Sequence, residues 1–167
     1  MKKIVTIVLV TLISVSCRIS YQFNGASIDY NLIKTIDIRD FQNQAPMVYP
    51  PLIQVFNEKI KDVYTRNTKL SFTNVNPDLE IEGEITGYDL SPQAVKEDAL
   101  ASETRLTMSV RMRYRNNKNP QDDREETITA YRDFPSSRLL TDVQDQLIDE
   151  LCDDIIDQIF NATLSNW

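Results

Sequence analysis

The sequence predicts an α+β domain, a two-layer sandwich in which a mixed four- to five-stranded sheet carries two amphipathic helices on one face. Two observations predict it. Residues 79–86 and 105–115 alternate apolar and polar side chains strictly, the period of a half-buried strand. Residues 49–64 and 140–160 repeat apolar side chains at helical spacing along one stripe. Every element thus has a single apolar face, and laying both helices on one face of the sheet buries all of them in two layers.

The elements follow in chain order. Residues 34–41 alternate, with Ile36 and Ile38 on one side and Thr35, Asp37 and Arg39 on the other, which predicts a first strand. Pro46, Pro50 and Pro51 mark a loop and a helix start. Tyr49, Leu52, Ile53, Phe56, Ile60, Val63 and Tyr64 form the stripe of that helix, and Asn57, Glu58, Lys61 and Asp62 cover its other side. Asn67 is a plausible stop. Residues 70–75 form a short strand, and Asn76-Pro77-Asp78 is a turn. Leu79, Ile81, Gly83 and Ile85 then alternate with Glu80, Glu82, Glu84 and Thr86. After a loop near residues 90–102, Leu106, Met108, Val110, Met112 and Tyr114 alternate with arginines and small polar residues. The first polar face is acidic and the second basic. An antiparallel pairing that sets Glu80 and Glu82 near Arg113 and Arg111 gains a few tenths of a kcal/mol per opposite-charge pair. A polar turn at residues 116–123 leads into a less regular strand at 124–132. A helix then starts at Leu139 or Leu140, with Thr141 and Gln144 at capping-box spacing or Ser137 as the cap, and ends near Asn161.

Residues 1–16 read as a removable lipoprotein signal. Met1-Lys2-Lys3 is basic, residues 4–13 are apolar apart from Thr6 and Thr11, and Ser14-Val15-Ser16 places small side chains before Cys17. The apolar run is about half of the roughly twenty residues that a membrane span requires. Cleavage before Cys17 leaves that cysteine as the lipidation site. Cleavage near Ser16 as an ordinary secretory signal, with Cys17 free, is the alternative. Two or more acyl chains anchor stably where one does not. Arg18 and Ile19 form no acidic retention signal, so the expected location is the outer membrane, on its periplasmic face and lipid-anchored. Residues 17–32 form a lipidated tether containing Tyr21, Phe23 and Tyr30, and residues 33–167 form the single domain.

Removing the signal takes 16 of the 167 residues and the positive charges of Lys2 and Lys3, leaving 151 residues and a net charge of −9. Such an acidic chain repels phosphate backbones, which argues against nucleic-acid binding. The absence of histidine removes Ser-His and Cys-His nucleophilic sites and histidine metal ligation. No phosphate-cradling glycine loop or paired-cysteine motif occurs, so neither an enzyme nor a cofactor or metal site is expected. The acids Asp149, Glu150, Asp153, Asp154 and Asp157 fit the solvated face of a helix better than a calcium loop, which needs sharp turns and carbonyl ligands. Cys152 reads as a small buried hydrophobe. The sequon Asn161-Ala162-Thr163 carries little weight. The basic stripe Arg105, Arg111, Arg113 and Arg115 has two readings that overlap. It is a cross-strand ion-pair ladder, or it is an anion site whose guanidinium forks take lipid phosphates or carboxylates.

Several stretches together carry a resemblance that spans nearly the whole chain after the cysteine. They are Tyr21-Gln22-Phe23-Asn24-Gly25-Ala26-Ser27-Ile28, Ile38-Arg39-Asp40-Phe41-Gln42-Asn43, Leu79-Glu80-Ile81-Glu82-Gly83-Glu84-Ile85, Arg105-Leu106-Thr107-Met108-Ser109-Val110, Ile159-Phe160-Asn161 and Asn166-Trp167. In this order they resemble the LptE family of lipopolysaccharide-assembly lipoproteins, as a divergent branch. The resemblance implies a two-layer α/β domain, an outer-membrane anchor and a partner, the β-barrel LptD, whose lumen the lipoprotein plugs. Together the two look like the translocon that moves lipopolysaccharide to the cell surface. Family members contact lipopolysaccharide through basic surface residues, and the stripe Arg105, Arg111, Arg113 and Arg115 is the stretch offered here for that role. A non-catalytic domain with a polar sheet face suits the polar interior of a barrel. The alternative is an accessory periplasmic lipoprotein of another outer-membrane assembly machine.

Overall fold

The computed structural model describes residues 28–93 and 103–164. Among the described residues, six strands and two α-helices follow in the order β1 (Thr35–Ile38), β2 (Gln42–Asn43), α1 (Pro50–Asn67), β3 (Ser71–Phe72), β4 (Leu79–Gln93), β5 (Glu103–Asn116), β6 (Arg124–Pro135) and α2 (Gln144–Leu164). The strands make one mixed sheet in the spatial order β3-β1-β4-β5-β6, with β2 also paired to β4. β1 runs parallel to β3 and β4, β2 runs parallel to β4, and β4-β5-β6 is an antiparallel meander.

Both helices cover the same face. Leu52, Phe56, Ile60 and Tyr64 of α1 are buried, as are Leu147, Leu151, Ile155 and Ile159 of α2. They meet Ile36, Ile81, Ile85, Leu106, Met108, Val110 and Met112, none of which exposes any surface. Each such side chain contributes roughly 1.5–3 kcal/mol on leaving water. The helices run side by side in the same direction. Tyr49 donates to Asp145 near their starts (2.6 Å), and Tyr64 meets Thr163 (2.6 Å) and Phe160 near their ends. The N-terminal ends of both helices therefore lie at one end of the sandwich. The residue 116–123 turn and Leu164 lie at the other.

Four expectations from the sequence are corrected. The first strand stops at Ile38 because Phe41 turns inward. Its N–H donates to Asn57 Oδ1 (2.8 Å), Asn57 Nδ2 donates back to its carbonyl (3.2 Å), and its ring packs 5.0 Å from that of Phe56. Asn57 thus serves as a latch rather than as solvent cover. The expected strand at 70–75 shrinks to Ser71–Phe72, because Asn76 adopts φ 48° to turn the chain, a conformation that Asn tolerates. The charge ladder is offset by two residues, with Glu80, Glu82 and Glu84 opposite Arg115, Arg113 and Arg111. An even shift keeps each side chain on its face. The last helix begins at Gln144 after a 3₁₀ turn at Leu140–Asp142, without the capping box. Gln144 instead donates to the buried Tyr88 hydroxyl (2.9 Å), which satisfies a phenol that would otherwise lack a partner in the core.

Candidate functional site

The face of the sheet that carries no helix is mainly polar, with the exposed ring of Tyr131 among charged and hydroxyl side chains. Alternation in β4, β5 and β6 sends the apolar residues under the helices and sends Glu80, Glu82, Glu84, the arginines of β5, Glu125, Thr127, Thr129 and Asp133 outward. Four arginines were read from the sequence as one stripe, and the structure divides them.

Arg105 and Arg111 are occupied. Arg105 grips Asp133 with Nε and Nη2 (both 2.8 Å) and lies 3.7 Å above the Tyr131 ring. That grip raises the guanidinium pKa and lowers the Asp133 carboxyl. Arg111 donates from Nε to Glu84 Oε1 (2.7 Å), and its Nη2 makes a second contact to the same oxygen. Glu84 is buried, so this pair neutralises a charge that could not otherwise remain there.

Arg113 and Arg115 are loosely held. Arg113 approaches Glu82 only to 3.7 Å. Arg115 faces Glu80 across the ladder, but Glu80 is taken by Arg39 Nη2 (3.0 Å) and Asn117 Nδ2 (2.8 Å). Arg39 also donates to Glu82 (2.8 Å), and the neighbouring Glu82 charge is the main reason its pKa rises. Among the described residues Arg115 has no carboxylate within 4.0 Å, and neither does Arg124 at the start of β6. Arg113, Arg115 and Arg124 line one shallow groove of about 230 Å³ together with Tyr114, Asp123 and Glu125. Arg124 is paired with Tyr114 and therefore starts on the helix-covered side, so the outer face contributes Arg113 and Arg115, and two guanidinium forks side by side can hold an oxyanion bidentately.

Two positions escaped sequence reasoning. Arg39 follows directly after β1, and its partners are known only once β1 pairs with β4. Arg124 follows a turn whose Asn116 hydrogen bonds fix where β6 begins: the Asn116 N–H donates to Asp123 (2.8 Å) and its side chain to Asp122 (2.9 Å). Four of the five acids named on the last helix have structural partners. Asp149 and Asp153 receive Lys59 (2.7 and 2.6 Å), and Glu150 and Asp154 receive Arg132 (2.9 and 2.6 Å), tying α2 to α1 and to β6. Burial pushes the Cys152 thiol up to about 12. Asp78 is buried between two loops. Burial works to raise its carboxyl, but Lys118 (2.9 Å) and the N–H groups of Lys34 (2.8 Å) and Thr35 (3.0 Å) hold it down at about 2. Cys17 lies outside the described residues.

Comparison with known proteins places this geometry. No curated protein sequence matches the chain. Among solved structures it is similar to a hypothetical protein from Chlamydia trachomatis, at 12% identity and a TM-score of 0.54 over 80% of this chain and 99% of that one. It is similar too to a protein from Xanthomonas campestris, at 12% identity and a TM-score of 0.54 over 79% of this chain and 84% of that one. These likenesses establish the fold. Residues 33–163, from just before β1 to the last turn of α2, match the family described as LptE, lipopolysaccharide-assembly. The chain belongs to the LptE family of lipopolysaccharide-assembly proteins.

Proposed function

We propose that the protein is a non-catalytic subunit of the outer-membrane lipopolysaccharide translocon. It is acylated on Cys17, held at the periplasmic face, and seated in the lumen of an LptD-type β-barrel. In this reading its outer sheet face meets the polar wall of the barrel, since such interiors are polar and water-filled. The groove to which Arg113 and Arg115 contribute takes phosphate groups of lipopolysaccharide. One observation carries the assignment of roles. The helices lie on one face of the sheet, and the other face is mainly polar, with its loosely held Arg113 and Arg115 together at one end.

Affinity isolation of the acylated protein from detergent-solubilised outer membranes tests the partnership. A large β-barrel recovered in equal amount supports it, and recovery without one counts against it. Lipopolysaccharide binding by the purified protein tests the groove. Reversing Arg113 and Arg115 to Glu weakens binding at least tenfold, while Asp149→Asn with Asp153→Asn leaves it unchanged. Equal losses from the two sets would remove the case for a local site.

A further inference from the structure

Three rungs of the β4-β5 ladder set a glutamate of β4 opposite an arginine of β5, and they close to different degrees. Glu84 and Arg111 make a tight pair. Glu82 and Arg113 stand 3.7 Å apart. Glu80 and Arg115 make no ion pair within 4.0 Å, and Arg115 finds no other carboxylate among the described residues. Side chains of this length reach one another wherever they are directly opposed, so the β4-β5 register does not explain the difference. The chain on the other side of β4 does.

Beside Glu80 and Glu82 that chain brings Arg39. β1 sets Asp37 level with Glu80, and the pairing continues past Ile38, where the Arg39 N–H donates to the Ile81 carbonyl (2.9 Å). Arg39 thereby starts between the two glutamates, and its fork spans them. Nη1 donates to Glu82 Oε2 (2.8 Å) and Nη2 to Glu80 Oε2 (3.0 Å). The backbone just beyond is fixed, since Phe41 is latched to Asn57 and Asp40 receives Lys61 Nζ (2.5 Å). Beside Glu84 the same side of β4 carries Gln42, whose amide donates to the Asp40 carbonyl (3.2 Å) and leaves Glu84 to Arg111. The open rungs are those that Arg39 reaches. The closed rung is the one where a glutamine stands instead.

We propose that Arg39 is a positioning residue: by occupying Glu80 and Glu82 from the neighbouring strand, it keeps Arg113 and Arg115 available to an oxyanion. A planar guanidinium suits this task, because one fork engages two carboxylates at once where an ammonium acts as a single point charge. Asp37, Glu80 and Glu82 balance Arg39, Arg113 and Arg115 in number. Without Arg39, three acids face two arginines, and Glu82 and Glu80 turn to Arg113 and Arg115 across the ladder. The consequence for ligand binding rests on the reading of Arg113 and Arg115 as a phosphate site, whereas the exchange of ion-pair partners does not.

Two measurements test it. In the ligand-free protein, nuclear magnetic resonance of the arginine side chains should show Nε–H exchange with water at Arg113 and Arg115 slowed at least threefold by Arg39→Ala. In binding of purified lipopolysaccharide, Arg39→Ala should cost at least fivefold in affinity. Arg39→Lys, which keeps the charge and gives up the fork, should cost an intermediate amount. In a Glu80→Gln, Glu82→Gln background the same Arg39→Ala change should cost less than twofold. One positive charge is lost in both backgrounds, so its long-range effect cancels in the cycle. An equal cost in both would mean that Arg39 touches the ligand or acts through the fold, and would overturn the proposal, as would unchanged exchange at Arg113 and Arg115. If Arg113→Glu with Arg115→Glu leaves binding intact, the phosphate reading falls and takes this role with it. If that reversal abolishes binding and Arg39→Ala does not weaken it, the role of Arg39 alone falls.

Discussion

Replacing Gly83 by alanine should destabilise the domain more than any other single-methyl addition to β4. Gly83 lies opposite Met112 on the helix-covered face, and the Phe41 ring rests on it. A Cβ built there meets Phe41 Cε1 and the Arg111 carbonyl oxygen, both well inside the 3.0 Å that real Cβ atoms respect. The two obstacles differ in kind. Phe41 is wedged against Phe56 and latched by Asn57, so its ring cannot swing away freely. The carbonyl belongs to the β4-β5 ladder and moves only if the strands part. Overpacking a core costs about 1–3 kcal/mol, and a backbone obstacle puts this site at the upper end, about 3 kcal/mol. For a domain of this size that lowers Tm by roughly 10 °C. Urea unfolding followed by circular dichroism measures it. Adding Phe41→Leu should relieve less than half of the loss, because the carbonyl remains. A Gly83→Ala variant within 0.5 kcal/mol of the wild type would refute this account of why the position is glycine.

Three further outcomes follow from the same contacts. Asp78 has a folded pKa of about 2, below its ordinary value, so its stabilisation is present above about pH 4 and is lost as pH falls through 2. Asp78→Asn should therefore remove on the order of 1–2 kcal/mol at pH 7 after allowance for solvent screening, and should flatten the acid limb of stability against pH. Arg111→Ala strands the buried Glu84 carboxylate and should lower the urea midpoint clearly, whereas Arg113→Ala should leave it within error, since exposed and loosely made ion pairs contribute little. Cys152, with its thiol pushed up to about 12 and no exposed surface, should react with iodoacetamide at pH 8 only at the rate of unfolding.

Periodicity made the two layers legible before any coordinates. The alternation of residues 79–86 and 105–115 and the stripes of the two helices specify faces, and burial follows faces. What periodicity cannot specify is register. Glu80 opposite Arg113 and Glu80 opposite Arg115 satisfy the same pattern, and the choice falls to Asn117, whose N–H donates to the Asp78 carbonyl and whose side chain donates to Pro77 O and Glu80. The groove depended on that choice. With the register offset by two, Arg111 takes Glu84, Arg39 takes Glu80, and the surplus of positive charge moves to Arg115. A lone residue that leaves its pattern to serve another element, such as Phe41 or Gln144, is likewise invisible to a window of neighbours. Its partner lies 16 residues away for Phe41 and 56 for Gln144.

The charge balance constrains how such a protein can hold a polyanion. The full chain carries −7, and −9 in the proposed form without residues 1–16, so beyond a Debye length of about 10 Å at 0.1 M salt its field repels phosphate. Attraction begins only where Arg113 and Arg115 stand side by side on the outer face, Arg115 without a carboxylate within 4.0 Å among the described residues. Salt then acts in two opposing directions: it weakens the short-range contacts and relaxes the long-range repulsion. Lipopolysaccharide binding should accordingly change little between 50 and 200 mM salt, where a protein making 6–10 phosphate contacts through a broad cationic surface loses about 10³-fold or more. Arg115→Glu adds to the repulsion and removes a contact, so the affinity of that variant should rise as salt is added. Isothermal titration across that range decides the matter, and a steep fall for the wild type would mean that the ligand reads a larger basic surface than this groove.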